Sequence, residues 1–226
     1  RSRVQGNNPP DIALFPQPGL VLDLAEQGAI VPLEDVIDVE AIKETVIPGF
    51  LESATFEEQV YGVPMRMAVK SLVWYPVPEF EEAGYEVPTT SAELTAREEQ
   101  IKADGGTPWC LGYESGQATG WVGTDWMEEY MLRTAGPEAY DRWVSGELDF
   151  NSPEVKTAAQ AFEKLAFGDG QVVGGREAIV STPFGDAPNP MFNDTPGCYL
   201  HRQGNFITGF FPDPVQQDLA ANVGVF

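Results

Sequence analysis

Basic residues are scarce in this sequence. Its 226 residues include 13 Lys and Arg against 35 Asp and Glu, which gives a formal net charge of -22. Binding to a polyanion needs a concentrated basic surface, so this balance argues against a nucleic-acid partner and against docking on an anionic membrane leaflet. The acidic composition favours solubility in a salty or extracellular setting. An acidic patch for a cationic partner is the alternative.

Long apolar runs are also missing. No stretch of about 18 apolar residues occurs, so nothing in the sequence is expected to span a bilayer. No basic segment followed by an apolar stretch stands at the start, so we expect no signal peptide here. The strand-like DIALF follows soon after Arg1, and the sequence closes on the apolar NVGVF. We therefore expect this chain to be an internal piece of a longer protein.

Cysteine and histidine are too few for a zinc centre. Cys110 and Cys198 are the only cysteines and His201 is the only histidine, and two thiols need further ligands to hold zinc. The cysteines are either two buried free thiols or, in an oxidising compartment, a disulfide. In the chain-entropy model, such a disulfide would stabilise the fold by roughly 4–5 kcal/mol.

Signatures of catalysis are absent as well. The sequence has no Gly-x-Ser-x-Gly elbow and no Gly-x-x-x-x-Gly-Lys phosphate loop. A Ser–His–Asp site would have to use His201, which has no nucleophile setting nearby. A glycosidase requires two facing carboxylates, and among 35 acids such a pair can always be nominated. A glycoside-processing enzyme that uses a carboxylate pair therefore stays as the alternative function.

What the sequence does contain is an alternation of helix and strand patterns, which favours an α/β architecture. Short apolar runs predict strands at DIALF (11–15), VYGVP, AVKSLVWY, PWCLGY, CYLHRQ, FITGFF and NVGVF.

Capping signals predict the helix boundaries. Asp38 is expected to begin a helix that ends at Pro48, and Thr90 opens a capping box. Asp125 predicts another helix start. The clearest helix is NSPEVKTAAQAFEKLAFG, in which Ser152 is the cap and proline occupies the first turn.

The stretch GYESGQATGWVGTDWMEEYML (112–132) combines glycines, polar tips and indoles. Glu114 and Gln117 follow the predicted strand PWCLGY, at the strand end where open α/β sheets bind ligands. Trp121 is predicted in a glycine-flanked loop and Trp126 in the first turn of the next helix. A sugar-binding site needs aromatic side chains that pack on the faces of the sugar rings and polar side chains that bind the hydroxyls. These residues supply both. A core position is the alternative, and for Trp126 the two are evenly matched.

Two more segments offer polar and aromatic groups. In HRQGNFITGFF, Gln203 and Asn205 are donors beside Phe206; in PFGDAPNPMF, Asp186 at the loop tip can accept hydrogen bonds from hydroxyls. The plainer interpretations are a solvated edge turn and a rigid surface turn.

The two basic residues of RMAVKS, Arg66 and Lys70, stand out in an acidic chain. They are candidates for ligand binding, with pairing to surface carboxylates as the alternative.

A series of motifs runs in order from end to end of the chain: PPDIALFPQPG, KSLVWYP, FEEAGYEVPTT, GGTPWCLGYESGQATGW, TDWMEE, RTAGPEAYDRW, FGDAPNPMF and CYLHRQGNFI. In these motifs the sequence resembles the family 1 extracellular solute-binding proteins of bacterial ABC sugar importers, and in particular their α-glucoside-binding branch. One departure is Ser91-Ala92 after PTT, where the family often has a tryptophan and an acid. These two residues lie at a predicted helix start and not in the proposed site, so the expected function is unchanged.

The resemblance implies a type II periplasmic-binding-protein fold, with two α/β lobes joined by hinge strands and a ligand cleft between them. Residues 1–70 would form part of lobe one, residues 71–222 most of lobe two, and residues 223–226 the return crossing to lobe one. It also implies that the two cysteines are oxidised to a disulfide.

The same resemblance implies a function. The protein would be a non-enzymatic receptor outside the cytoplasmic membrane, in the periplasm or lipid-anchored at the outer face. It would capture an α-glucoside or related oligosaccharide and deliver it to an ABC permease by hinge closure, without a metal or cofactor. We expect it to be a monomer.

The resemblance also assigns site residues. Lobe one would offer Gln17, and the hinge strand Arg66 and Lys70. The sugar-holding acid and aromatic of maltose-type relatives fall on the loop from Glu114 to Trp121. The ligand turn Gly-x-Trp corresponds to residues 204–206, with phenylalanine in place of tryptophan.

Overall fold

The chain divides after Met67 into two units, Arg1–Met67 and Ala68–Phe226. The computed structural model describes residues 1–47 and 49–226 of the protein. The division lies three residues before the boundary expected at residue 70. The assignment of 1–70, 71–222 and 223–226 to lobes stays a prediction.

The first unit contains short elements: α1 (Ser2–Gln5), α2 (Pro18–Glu26), α3 (Val39–Lys43), a 3-10 helix (Glu52–Ala54), β1 (Thr55–Phe56) and β2 (Gln59–Val60). The two strands form an antiparallel hairpin. The expected cap of α3 is present, because Asp38 Oδ1 accepts a hydrogen bond from Ala41 N at 3.0 Å. Pro48, the expected end of that helix, lies outside the described residues. A small core forms around Val39, Leu51 and Val60.

The strand predicted at DIALF (11–15) is wrong. This segment is irregular and largely exposed, with Ile12 at 91% exposure. A strand requires a neighbour to satisfy its backbone groups. Within the described part of the chain no strand pairs with these residues. Of the predicted strand VYGVP, only Val60 belongs to a strand.

The second unit contains the longer helices and the sheet. Its elements are β3 (Leu72–Pro76), α4 (Val77–Glu82), α5 (Ser91–Ala103), a 3-10 helix (Gly116–Ala118), α6 (Trp121–Ala135), α7 (Pro137–Val144), α8 (Pro153–Phe167), α9 (Arg176–Ile179), a 3-10 helix (Asn189–Phe192), β4 (His201–Gln203), a 3-10 helix (Asn205–Phe210), α10 (Asp213–Gln217), α11 (Leu219–Asn222) and β5 (Val223–Val225).

Strand β3 is the centre of a three-stranded antiparallel sheet with the order β4-β3-β5. Trp74 is opposite His201 on one side and Val225 on the other. Val73 is opposite Arg202, so Arg202 and His201 face opposite sides of the sheet.

The segment PWCLGY is extended but forms isolated bridges rather than a regular strand. Trp109 bridges in parallel to Val172 and Leu200, and Glu114 bridges to Pro183. The Trp109 indole is fully buried, and its Nε1 donates a hydrogen bond to the Glu98 carboxylate at 2.7 Å. This segment therefore joins several parts of the core and delivers Glu114 to the surface.

The predicted strand FITGFF is wrong, because its first five residues belong to the 3-10 helix Asn205–Phe210 and Phe211 follows as the C-cap. The i to i+3 geometry starts with a hydrogen bond from Ile207 N to Gly204 O at 3.0 Å. Ile207 is buried while Phe210 is half exposed. Core packing of one side chain in a tight turn thus overrides the β-propensity of the run.

Candidate functional site

Helix α6 begins at Trp121, four residues before the start expected at Asp125. Gly120 precedes it with φ of 103°, a left-handed conformation that glycine adopts without steric cost. Its amide donates to Tyr113 O at 3.0 Å, which closes the loop onto the extended segment. The expectation of a loop at Trp121 was wrong because the glycine turn, rather than an acidic cap, starts the helix.

Four side chains of the second unit surround Trp121, and we call the five residues together the Lys70 cluster. They are Lys70, Trp121, Asp125, Phe184 and Phe206. Lys70 Nζ lies 4.6 Å from the Trp121 ring centroid and 5.4 Å from that of Phe206. The Lys70 ammonium also pairs with the Asp125 carboxylate.

The rings of the Lys70 cluster pack against each other. The centroids of Trp121 and Phe184 are 5.3 Å apart in an edge-to-face arrangement. Phe206 lies 6.1 Å from Trp121 and is tilted relative to it. All three rings are partly exposed, and Lys70 retains 43% of its side-chain exposure. The cluster therefore combines apolar ring surface with one donor and one acceptor group, a combination suited to a hydroxylated ligand.

Residues of the turn after β4 hold the Lys70 segment in place. Asn205 N donates to Val69 O at 2.9 Å, and Asn205 Oδ1 accepts from Val69 N at 3.1 Å. Gln203 is buried, and its Oε1 accepts from Gly204 N at 2.9 Å. In this structure Gln203 shapes the turn, whereas Asn205 is exposed beside the cluster.

The other loop candidates are Glu114, Gln117 and Asp186. Glu114 is linked to the Lys70 cluster by a main-chain hydrogen bond to Phe184. Glu114 O accepts from Phe184 N at 3.0 Å, and the Glu114 carboxylate accepts from Gly116 N at 2.7 Å. Gln117 is exposed in the following 3-10 helix. Asp186 is exposed two residues after Phe184. Glu114 is the only one of the three with a side-chain hydrogen bond among the described residues.

Trp126 takes the core position of the two that the sequence left open. It is 4% exposed, and its ring meets Trp109 edge-to-face at 5.4 Å. The Arg202 guanidinium lies 4.6 Å from the centroid of the Trp126 ring. Arg202 and Trp126 are therefore on the face of the sheet opposite to His201. Trp126 therefore packs in the core and does not expose its ring for contact with a ligand.

Gln17 and Arg66 belong to the first unit, and both are exposed there. Gln17 precedes α2 as its N-cap residue without a side-chain capping bond. The candidates that the structure brings together are therefore those of the second unit.

Cys110 and Cys198 form a disulfide, with Cα atoms 5.5 Å apart. Both are fully buried. The bond joins the extended segment that leads to Glu114 with the segment that leads into β4.

Sequence reasoning missed Asp125 and Phe184 as neighbours of Trp121. The sequence presents Asp125 as a helix cap, and in the loop that contains Phe184 it presents Asp186 as the polar group. The spacing of Trp121 and Asp125 by four residues, which puts them on one helix face, was the available signal.

The described ranges, residues 1–47 and 49–226, contain neither a membrane-spanning helix nor a metal-binding group. No helix in them is long and apolar enough to cross a bilayer. Residues 1–47 and 49–226 also contain no group of three or more His, Cys, Asp or Glu side chains placed to bind a metal ion.

Solved structures define the class of this fold. The chain matches a chitin oligosaccharide binding protein with a TM-score of 0.79 at 24% identity, covering 100% of this chain and 53% of that one. It matches a sugar transporter from Arthrobacter chlorophenolicus, solved with bound laminaribiose, with a TM-score of 0.72 at 20% identity, covering 100% and 53%. These likenesses confirm the expected type II periplasmic-binding-protein fold.

The family follows from the sequence comparisons. Residues 1–187 match the family described as bacterial extracellular solute-binding protein, and the chain belongs to that family. Its members are non-enzymatic components of transport, and the description agrees with the expected location outside the cytoplasmic membrane. The expected family is confirmed.

Two curated relatives are similar over nearly the whole chain. The osmoprotective compounds-binding protein GgtB of Synechocystis sp. is 47% identical over 216 residues, which are 96% of this chain and 51% of that protein. The alpha-glucosides-binding periplasmic protein AglE of Rhizobium meliloti is 44% identical over 219 residues, covering 92% and 47%. The chain thus spans about half the length of the curated relatives it matches.

Proposed function

We propose that the protein is the extracytoplasmic receptor of an ABC importer, and that it captures an α-glucoside or a related oligosaccharide. The observation that carries the proposal is the Lys70 cluster, in which Trp121 and Phe206 offer ring surface beside an ammonium and a carboxylate. Aromatic rings pack on the apolar faces of sugars, and charged groups hold their hydroxyls. Family membership supports the ligand class, as do the ligands in the names of the two relatives.

In this proposal the second unit binds the sugar first, and closure of the first unit then buries it. Gln17 and Arg66 would contribute from the first unit, while Glu114, Gln117, Asp186 and Asn205 would surround the cluster. The ligand shifts the open and closed populations only through its stronger binding to the closed form. The receptor acts as a monomer and delivers the sugar to the permease without chemical change.

A ligand screen on the full-length protein tests the proposal. Maltose, trehalose and sucrose are titrated while tryptophan fluorescence and melting temperature are followed, and the recovered sugar is analysed for product. At least one sugar is expected to change both signals and to be recovered intact. No response to any α-glucoside would refute the ligand class, and product formation would refute the receptor role.

Matched tryptophan variants locate the site. Trp121→Ala is expected to abolish the fluorescence response and to weaken binding by roughly ten-fold or more, as for a central aromatic anchor. Trp143→Ala is the control, because Trp143 packs against Tyr140 and Phe150 away from the cluster. Equal loss of affinity in both variants would contradict the assignment of Trp121.

A further inference from the structure

Three residues on one face of α6 point at the segment Lys70-Ser71. Trp121, Asp125 and Glu129 are spaced by four residues, so they form one row along the helix. Trp121 lies under the Lys70 ammonium, and Asp125 pairs with it. Glu129 accepts a hydrogen bond from the Ser71 hydroxyl. Each of the two consecutive residues is therefore held by the same helix face.

A buried arginine completes the contact at Ser71. Arg202 is 5% exposed, and its Nη2 donates to Ser71 Oγ at 3.0 Å, to Glu129 Oε2 at 3.1 Å and to Asp125 O at 3.2 Å. Its guanidinium is also packed over the Trp126 ring at 4.6 Å. Since this arginine is fixed by both ring and hydrogen bonds, it forms a rigid support for Ser71.

The backbone at Ser71 explains why such a support is needed. Its φ is +64°, in the left-handed region that residues with a side chain rarely adopt. An unfavourable conformation persists only where surrounding contacts hold it. The two hydrogen bonds of the Ser71 hydroxyl are contacts of this kind, and the conformation of Ser71 sets the direction of the preceding Lys70.

The ionised state of Glu129 fits this role. Burial would raise the pKa of Glu129, but hydrogen bonds from Ser71 and Arg133 and the charge of Arg202 hold it below its ordinary value. The carboxylate is therefore charged, accepts from Ser71, and balances the buried guanidinium.

We propose that Ser71, Glu129 and Arg202 are positioning residues of the candidate site, which hold the Lys70 ammonium over Trp121 and Phe206. The inference rests on the proposed function for its binding readout, because Lys70 is taken to contact the ligand. Its second readout, the environment of the Trp121 ring, does not require a ligand.

A double-mutant cycle between Ser71 and Lys70 in the full-length protein tests the proposal. Affinity for maltose, trehalose and sucrose is measured for Ser71→Ala, Lys70→Met and the double variant. If Ser71 acts through Lys70, Ser71→Ala weakens binding by roughly two- to five-fold alone and causes no further loss in the Lys70→Met background. A purely structural role would give the same loss in both backgrounds and would overturn the proposal, as would unchanged affinity in Lys70→Met.

Arg133→Gln is the control, because Arg133 reaches the same Glu129 carboxylate from the exposed side and does not contact Ser71. It is expected to leave affinity unchanged. If Ser71→Ala does not fold, Ser71→Gly removes the hydroxyl while tolerating the left-handed backbone, and Glu129→Gln weakens the network from the helix side.

The indole N–H signal of Trp121 in the nitrogen-15-labelled protein supplies the readout without ligand. Ser71→Ala is expected to shift this signal in the same direction as Lys70→Met, and Arg133→Gln is expected to leave it in place. A Trp121 signal that moves in Lys70→Met but not in Ser71→Ala overturns the proposal. Absence of sugar binding in the wild-type protein would instead refute the proposed ligand class, and the indole comparison would still decide the positioning role.

Discussion

The imidazole of His201 donates from Nδ1 to the main-chain carbonyl of Cys110 at 2.8 Å, across 91 positions of sequence. Both residues are buried, and His201 is the only histidine of the chain. This bond ties β4 to the extended segment beside the disulfide. It also fixes the tautomer, because the carbonyl can only accept.

The first prediction concerns stability below neutral pH. Burial lowers the pKa of His201 to about 4, while the hydrogen bond to Cys110 opposes the shift only in part. Between pH 6.5 and about 4 the unfolded chain therefore binds a proton that the folded protein does not, so stability falls as pH falls. The loss from this group amounts to about 3 kcal/mol.

Titration of the single histidine signal by NMR and urea unfolding at pH 7 and 4.5 measure this effect. His201→Gln is the comparison, because the stability of this variant should depend less on pH over the same range. A folded-state histidine that titrates near 6.5 would contradict the prediction.

The second prediction concerns the disulfide. Reduction of Cys110–Cys198, which closes a separation of 88 residues, is expected to lower the free energy of unfolding by about 4–5 kcal/mol in the chain-entropy model. Urea unfolding with and without dithiothreitol measures the loss. Thiol titration of the denatured, non-reduced protein should find no free thiol, and two titratable thiols would exclude the bond.

The third prediction concerns Gly112, just before the candidate loop. A Cβ at this position would lie 2.7 Å from Thr182 O, 2.9 Å from Pro183 O and 2.8 Å from the Ala187 Cβ. Because main-chain atoms cannot move aside easily, Gly112→Ala is expected to cost about 1–3 kcal/mol of stability. Gly209→Ala is the control, since a Cβ there meets nothing within 4 Å. Equal melting temperatures for the two variants would disprove the steric argument.

The fourth prediction concerns the buried pair of Glu98 and Trp109. Burial raises the pKa of Glu98, although the hydrogen bond from Trp109 Nε1 opposes this. Glu98→Gln keeps an acceptor without the charge, so it should retain wild-type stability at pH 7. Glu98→Leu leaves the indole N–H unpaired and should cost about 1–3 kcal/mol.

The pH dependence of the same pair has a defined sign. Since the folded protein binds the proton of Glu98 more tightly than the unfolded chain, this group adds stability as pH falls from its raised pKa towards the ordinary value of 4.5. The free energy of unfolding of the wild type should therefore rise relative to that of Glu98→Gln as the pH is lowered. Unfolding of both proteins at several pH values checks this, and a gap that does not change with pH would refute it.

Local signals predicted the starts of α5 and α8. Ser152 caps α8 through Val155 N, and Thr90 forms the expected capping box with Glu93 at the start of α5. Such motifs lie within one turn of chain, so the sequence contains all of their partners. The α/β class and the family followed from the pattern and the motifs.

The errors lie where distant residues decide the structure. DIALF has the composition of a strand but no strand beside it, and FITGFF turns because Ile207 packs into the core. Trp126 could be assigned to neither core nor site until Trp109 and Arg202 were placed against it. The Lys70 cluster likewise depends on residues from four separate segments, which no short spacing reveals.

The disulfide has a practical consequence for how the protein is produced. It joins the chain four residues before Glu114 to the chain five residues before Gln203, so it anchors the bases of two segments that border the Lys70 cluster. Material made in the reducing cytosol of an expression host would lack this link. Preparations secreted through an oxidising compartment, or refolded with a glutathione couple, are therefore the ones on which sugar affinities should be measured.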